Sequence, residues 1–258
     1  MDNPYEQVGE LLARAEHILF ITGAGISADS GLPTYLGIGG LYENQATEEG
    51  VPIEIAISGE MFRERPELTW KYLWQIGSAC LHARPNRAHE VIAQIERRKS
   101  DTWVLTQNID GLHHAAGTRN LVEIHGRASE LYCLQCDSEF AAEQLIAGYE
   151  AEIPLPPRCP RCDGLIRPNV VLFGEMLPQE ALQLYYNKAT INRDLVVLIG
   201  TTGLFQYIAQ PALVAKSQGV PIVEINPSQT RLTPLADYRI GDSAASTLDS
   251  LYDLIRQF

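Results

Sequence analysis

His17-Ile18-Leu19-Phe20-Ile21-Thr22-Gly23-Ala24-Gly25-Ile26-Ser27-Ala28 is the stretch that sets the fold class of this chain. The apolar run His17–Ile21 predicts a buried strand, and Gly23 to Ala28 match G-x-G-x-x-A where that strand turns towards a helix. Glycines there let the backbone approach a pyrophosphate, whose charge is met by N–H groups at the helix start. Alone the motif is weak, because any tight strand-to-helix turn favours glycine. Further runs at Thr102–Thr106, Leu121–Ile124, Leu195–Ile199, Pro221–Ile225 and Tyr238–Ile240 also read as strands. Helical spacing at Tyr5–Ala15, Arg87–Arg98, Pro178–Asn192, Gln210–Gln218 and Ala244–Phe258 alternates with them, which predicts an α/β fold with a Rossmann-like parallel sheet. An ordinary dehydrogenase would end a second strand on an acidic residue about twenty positions on. Gly39-Gly40-Leu41-Tyr42-Glu43 is no strand, and the long loop with Ser27, Ser30, Gly31, Pro33 and Gly37 to Gly40 reads as a mobile lid.

Two stretches break the strand–helix alternation. They divide the chain into a Rossmann-like, nucleotide-binding domain from residues 1–36, 80–126 and 167–258, and a small domain from a helical insertion (37–79) and a cysteine-bearing ribbon insertion (127–166). Cys133/Cys136 and Cys159/Cys162 form two Cys-x-x-Cys pairs. Two intervening residues let both thiolates of a pair reach one tetrahedral Zn²⁺ at about 2.3 Å, and the second pair closes the shell. The 22-residue gap between the pairs is a loop that costs little to close. Disulfides or a redox dithiol are the rival reading, and nothing else in the chain suggests an oxidising compartment. With all four positions filled by sulfur, the metal is structural. Cys80 is left over and reads as a buried, inert thiol.

The chain has 258 residues, 45% of them hydrophobic, enough for one large core and a small second one. The polar start MDNPYEQVGE and the lack of a long apolar stretch predict a cytoplasmic protein with no signal peptide and no membrane span. A formal charge of −12 argues against nucleic acid as a ligand and is compatible with basic, lysine-bearing substrates. The sequence carries no signal of oligomeric state.

After the second predicted strand comes Gln107-Asn108-Ile109-Asp110-Gly111-Leu112-His113-His114, and His125-Gly126 follows one strand further on. Ligands of open α/β sheets bind beyond the carboxyl ends of strands, so these polar residues should converge on one crevice. Each also has a bland reading: Asn108 and Asp110 as turn or cap residues, His113 and His114 as a solvated helix start, His125 as a hydrogen-bonded structural histidine. Together they suit catalysis. A neutral imidazole is a general base near pH 7, an amide can hold a hydroxyl or water, and a carboxylate can accept from an amide N–H₂.

The chain resembles the sirtuins, NAD-dependent protein-lysine deacylases, along nearly its whole length. The matching blocks run in order: GAGISADSGLPTY at Gly23–Tyr35, Pro-Asn-x-x-His at Pro85–His89, TQNIDGLHHAAG at Thr106–Gly117, His125-Gly126, the two cysteine pairs, RPNVVLFGE at Arg167–Glu175, Gly200-Thr201-Thr202 and Ile225-Asn226. The resemblance implies that NAD is a consumed co-substrate and Zn²⁺ a structural ion. It implies that Gly23, Ala24, Gly25, Ser27 and the loop to Tyr35 enclose the phosphates and nicotinamide ribose. Gln107 and Asn108 would hold that ribose, Ile109 and Asp110 the carboxamide, Gly200, Thr201 and Thr202 the phosphate side, and Asn226 the adenosine ribose. His125 would be the catalytic base, with Asn108 beside it. Val171, Phe173, Gly174 and Glu175 would form the extended segment on which an acyl-lysine protein or peptide adds as a strand. The implied products are nicotinamide, deacylated lysine and O-acyl-ADP-ribose.

Three positions depart from that family's pattern. Tyr35-Leu36 stands where Phe-Arg is usual, which removes a cation from the mobile loop. Thr202-Gly203 replaces a common Ser-Leu and keeps the hydroxyl. Leu73 and Ile76 occupy the places of the Tyr-x-x-Arg pair that favours anionic acyl groups, so neutral acyl groups are expected over succinyl. The missing arginine keeps a second activity in view, an NAD-consuming ADP-ribosyltransferase or NAD glycohydrolase on the same fold. A third reading, of another class, is an inactive NAD-binding sensor or interaction module.

Overall fold

The computed structural model describes residues 3–34, 47–146 and 154–256. Tyr35 and Leu36 lie outside them. The strands among the described residues are β1 (Ile18–Thr22), β2 (Trp103–Thr106), β3 (Leu121–Glu123), β4 (Gly126–Cys133), β5 (Glu139–Ala141), β6 (Ile166–Val170), β7 (Leu195–Ile199), β8 (Ile222–Ile225) and β9 (Tyr238–Ile240). The helices are α1 (Pro4–Arg14), α2 (Ile53–Ala56), α3 (Gly59–Glu64), α4 (Pro66–His82), α5 (Arg87–Arg98), α6 (Leu112–Ala115), α7 (Ala142–Ile146), α8 (Gln179–Leu184), α9 (Gln206–Ser217) and α10 (Ala244–Ile255).

All six strands expected from sequence form one sheet in the order β3-β2-β1-β7-β8-β9, and every pairing is parallel. The central strands β1 and β7 are buried at every position, which is why ILFIT and LVVLI read as continuous apolar runs rather than alternating ones. Period-2 geometry sorts their side chains. Ile18 and Phe20 pack with Val8 and Leu12 of α1, Val91 and Ile92 of α5 and Leu248 and Leu251 of α10. Leu19 and Ile21 face the other way, towards Ile208 and Ala212 of α9 and Tyr185.

The helix ends follow their caps. Asn3 accepts from Tyr5 N with Pro4 in the first turn, and Ser243 accepts from Ser246 N at the start of α10. Asn86 and His89 form a reciprocal capping box on α5, which runs over the Arg87–Arg98 span expected from sequence. The helix expected at Pro178–Asn192 is instead α8 followed by a single wide π turn at Tyr185–Ala189. That expected at Gln210–Gln218 starts four residues earlier, at Gln206, with Pro211 inside it; the Tyr207 carbonyl that the missing Pro211 N–H would have met accepts from the Tyr185 hydroxyl instead.

The second unit is an antiparallel sheet, β5-β4-β6, packed against α2, α3, α4 and α7. Trp70 of α4 donates its indole N–H to Ile166 O at 2.8 Å, which ties the helical insertion to the ribbon. Two boundaries drawn from sequence shift. The one at 79/80 falls inside α4, which continues to His82, and Arg167–Val170 pair with β4 and so belong to the ribbon's sheet.

β1 lies where the strand order reverses, with β2 on one side and β7 on the other, so the loops leaving β1 and β7 open a crevice at the strands' carboxyl ends. Those loops touch. Gly25 N donates to Gly200 O at 2.9 Å, and a Cβ on Gly25 would stand 2.6 Å from Gly200 Cα. Gly25→Ala should therefore lower stability by about 1–3 kcal/mol through overpacking against backbone, measured as a lower denaturant midpoint at constant m-value.

Candidate functional site

The glycine-rich turn does not run into a regular α-helix. Ala24–Ser30 form 3₁₀ turns that Gly31 ends in the left-handed conformation (φ 82°). Ser27 is buried and donates to Asp110 Oδ2 at 2.7 Å, and Asn108 Nδ2 donates to Gly23 O (3.1 Å) and Ser27 Oγ (3.2 Å). Asp110 Oδ1 accepts from Leu112 N at 2.9 Å. Burial pushes the Asp110 carboxyl above its ordinary value, and the bonds from Leu112 N, Ser27 and Asn108 work against that rise. Gln107 Nε2 donates to Thr201 Oγ1 at 2.7 Å, which also accepts from Gly203 N (3.3 Å). Asn226, just after β8, reaches Thr201 O at 3.5 Å. Gly23, Ala24, Gly25, Ser27, Gln107, Asn108, Asp110, Thr201 and Asn226 thus meet at one end of the sheet, and Gly200 and Thr202 flank Thr201 in the same loop.

His125 sits at the rim, between the two units. Gly126 follows in a positive-φ conformation (76°), where a Cβ would stand 2.0 Å from Asn169 O, and Val171 N donates to His125 O at 2.9 Å. The ring's Nδ1 lies 2.9 Å from Gln107 O and Nε2 lies 2.6 Å from the Tyr207 hydroxyl. A carbonyl can only accept, so Nδ1 carries the hydrogen and, in the neutral ring, Nε2 is the acceptor. Burial lowers the His125 pKa below 6.5, partly opposed by the Gln107 carbonyl. The imidazole is therefore a neutral base at pH 7.

Of the segment expected to take substrate, Phe173 exchanges backbone bonds with Ile57 and Gly59 on one side. Glu175 does not present its charge outward. Arg167 holds its carboxylate at 2.8 and 2.9 Å, Leu172 N donates to it at 2.9 Å, and its pKa is lowered by these partners against the cost of burial. Gly174, at φ 80°, is open on its Cβ side. An apolar cavity lies between α4 and the ribbon, lined by Trp70, Leu73, Trp74, Ile109, Ala128 and Val170 among others, all apolar or glycine. Ile109, adjacent to Asn108, is one of its walls.

The four cysteine sulfurs lie within 4.8 Å of one another, with Cys133–Cys162 at 3.5 Å and Cys136–Cys159 at 3.7 Å. A tetrahedron with Zn–S of about 2.3 Å has edges of about 3.7–3.8 Å, so the set fits zinc. Gln135 N and Arg161 N donate to Cys133 and Cys159 at 3.4 Å each, stabilising thiolates. Gly164 leaves room for the site: a Cβ there would stand 2.9 Å from Cys133 Sγ. Cys80 is unrelated to it, and burial pushes its thiol up to about 12.

His113 corrects the reading of a solvated helix start: it is 1% exposed and bonded to Thr22 Oγ1 at 3.0 Å. It meets His89 edge-on, with centroids 4.8 Å apart. Asn86, capped by His89, donates to Ile26 O (2.7 Å) and Ser30 Oγ (3.0 Å), so this buried pair props the turn that follows β1. The Asn86-x-x-His89 spacing was the signal for it. Phe205 and Tyr207, which surround His125, left no signal in the sequence.

The chain belongs to the Sir2 family, whose model matches residues 23–206. It is 49% identical over 245 residues, 94% of this chain and 93% of the relative, to NAD-dependent protein deacylase 2 of Pseudomonas aeruginosa. It is 35% identical to NAD-dependent protein deacylase 1 of Archaeoglobus fulgidus, covering 98% of each chain. Among solved structures, a Sir2 homolog–NAD complex superposes with a TM-score of 0.84 at 34% identity (100% of this chain, 94% of that one). A Sir2–p53 peptide–NAD+ complex does so at 0.82 and 28% identity, over 96% of both chains.

Two outcomes follow. The purified chain should carry one zinc, and Cys159→Ala should lose it and expose the ribbon to proteolysis, by metal analysis and limited digestion; full occupancy in the variant would exclude the four-sulfur site. His89, held at about 4 by burial, and His113, also lowered by burial, bind protons in the unfolded chain first. Stability should be complete above pH 6.5 and fall as pH drops from there towards 4, by on the order of 3 kcal/mol for His89 alone. His89→Gln should flatten that slope in urea titrations across the window.

Proposed function

We propose that this chain is an NAD-dependent protein-lysine deacylase that consumes NAD and releases nicotinamide, deacylated lysine and O-acyl-ADP-ribose. The observation that carries it is His125: half-buried, neutral, fixed in one tautomer by Gln107 O, and standing where the crevice over the sheet meets the segment at Val171–Glu175. Ala24, Gly25, Thr201 and Thr202 face the pyrophosphate, Gln107 and Asn108 the nicotinamide-side ribose, Ile109 and Asp110 the carboxamide, and Asn226 the far ribose. Asn108 and Asp110 are locked together through Ser27, so the pocket is preorganised before substrate enters. His125 takes the proton of a ribose hydroxyl, and that oxygen then attacks the acyl-derived carbon.

The acyl-lysine protein or peptide lies along Val171, Phe173 and Gly174, recognised mainly through backbone. Glu175 shapes that segment through Arg167. Leu73 lines the apolar cavity beside Ile109, and Ile76 packs nearby, which supports neutral acyl groups over succinyl. The helical insertion and the ribbon act as one small domain, whose zinc holds the far wall of the cavity in place. Four thiols arranged for a metal fit a reducing compartment, the cytoplasm, and the net charge of −12 fits lysine-bearing partners rather than nucleic acid.

Mass spectrometry of the products formed with NAD and acetyl-, longer aliphatic acyl- and succinyl-lysine peptides tests the reading. O-acyl-ADP-ribose with deacylated peptide is expected, at a higher kcat/KM for acetyl than for succinyl. Free ADP-ribose formed independently of peptide would identify a glycohydrolase or transferase instead.

A further inference from the structure

We propose that Tyr207 is a second proton-handling residue, standing between His125 and the substrate hydroxyl and relaying the proton that the base receives. This rests on the deacylase reading above. The starting point is a count of lone pairs. With Nδ1–H committed to Gln107 O, the neutral imidazole has a single acceptor, Nε2, and the Tyr207 hydroxyl already occupies it at 2.6 Å. A substrate hydroxyl must therefore displace the phenol or pass its proton through it.

The surroundings favour passage. Tyr207 lies in the first turn of α9, its ring stacks on Phe205 (14° between planes, 5.4 Å between centroids), and its backbone carbonyl accepts from the Tyr185 hydroxyl at 2.8 Å. The imidazole in turn meets Phe205 and Tyr207 edge-on, at 5.7 and 5.9 Å. Swinging the phenol away would break the stacking that also confines the base. A phenolic oxygen that donates one hydrogen bond still has acceptor capacity, so the ribose hydroxyl can donate to Tyr207 while Tyr207 donates to His125.

The step balances within these groups. The ribose O–H bond breaks and its electron pair stays on that oxygen, which attacks the acyl-derived carbon. The released proton forms a new O–H bond on Tyr207 as the phenol's own proton forms an N–H bond at Nε2. His125 ends as an imidazolium and Tyr207 is unchanged.

Tyr207→Phe removes the hydroxyl and keeps the stacked ring. Relay predicts an unchanged thermal midpoint and a kcat for O-acyl-ADP-ribose formation lower by about 10- to 100-fold. KM for NAD and for peptide, and nicotinamide exchange, which precedes the proton transfer, should change by less than about threefold. His125→Ala, run alongside, should show the same split between exchange and product formation. A kcat within about twofold of wild type, or a faster variant, would overturn the proposal, the latter by showing that the hydroxyl blocks the base. Equal losses of exchange and product formation would overturn it too, by reducing Tyr207 to packing. Failure of the wild-type chain to form O-acyl-ADP-ribose would instead defeat the deacylase reading itself.

Discussion

The backbone contact between Gly25 and Gly200 governs the site. It joins the loops leaving β1 and β7, the two strands at which the sheet's order reverses, and it is possible only because neither residue has a side chain. From this contact Gly23 O is placed to receive Asn108, Ser27 to bridge Asn108 and Asp110, and Thr201 to receive Gln107. A crevice built from interlocked, half-buried hydrogen bonds of this kind holds its dipoles fixed, so little reorganisation is left for the reaction to drive.

The second constraint is the junction between the parallel sheet and the small antiparallel one. It runs through Ile124, His125 and Gly126, where β3 ends and β4 begins, and Gly126 takes a left-handed conformation against the Asn169 carbonyl. His125 is thus fixed on both sides: its backbone is tied to Val171 and its ring to Gln107. The four-cysteine cluster lies far along the same ribbon. Cys133 and Cys159 pack with Trp70, Leu131 and Ile166, and a metal held by four sulfurs supports that packing rather than chemistry of its own.

The strands were legible because a buried parallel sheet demands continuous apolar runs, and Leu195–Ile199 and Tyr238–Ile240 begin and end where sequence places them. The cysteine pairs were legible because metal geometry restricts spacing. The small domain's edges were not, since α4 runs unbroken from Pro66 to His82 across one expected edge, and β6 pairs with β4 across the other. His113 misled for a related reason: a polar residue at a helix start is usually solvated, and only tertiary packing against Thr22 and His89 buries it. The partner of the Glu175 carboxylate was not legible either: it is Arg167, eight residues earlier in sequence. Tyr207 could not be read at all, because the bond from α9 to His125, two residues beyond β3, spans 82 positions.

A crystal structure of the chain with NAD and an acetyl-lysine peptide tests the central claim most directly. It should place the pyrophosphate against Ala24, Gly25 and Thr201, the carboxamide at Asp110, and a ribose hydroxyl within hydrogen-bonding distance of the His125–Tyr207 pair. NAD bound outside the crevice, or a ribose turned away from His125, would contradict it.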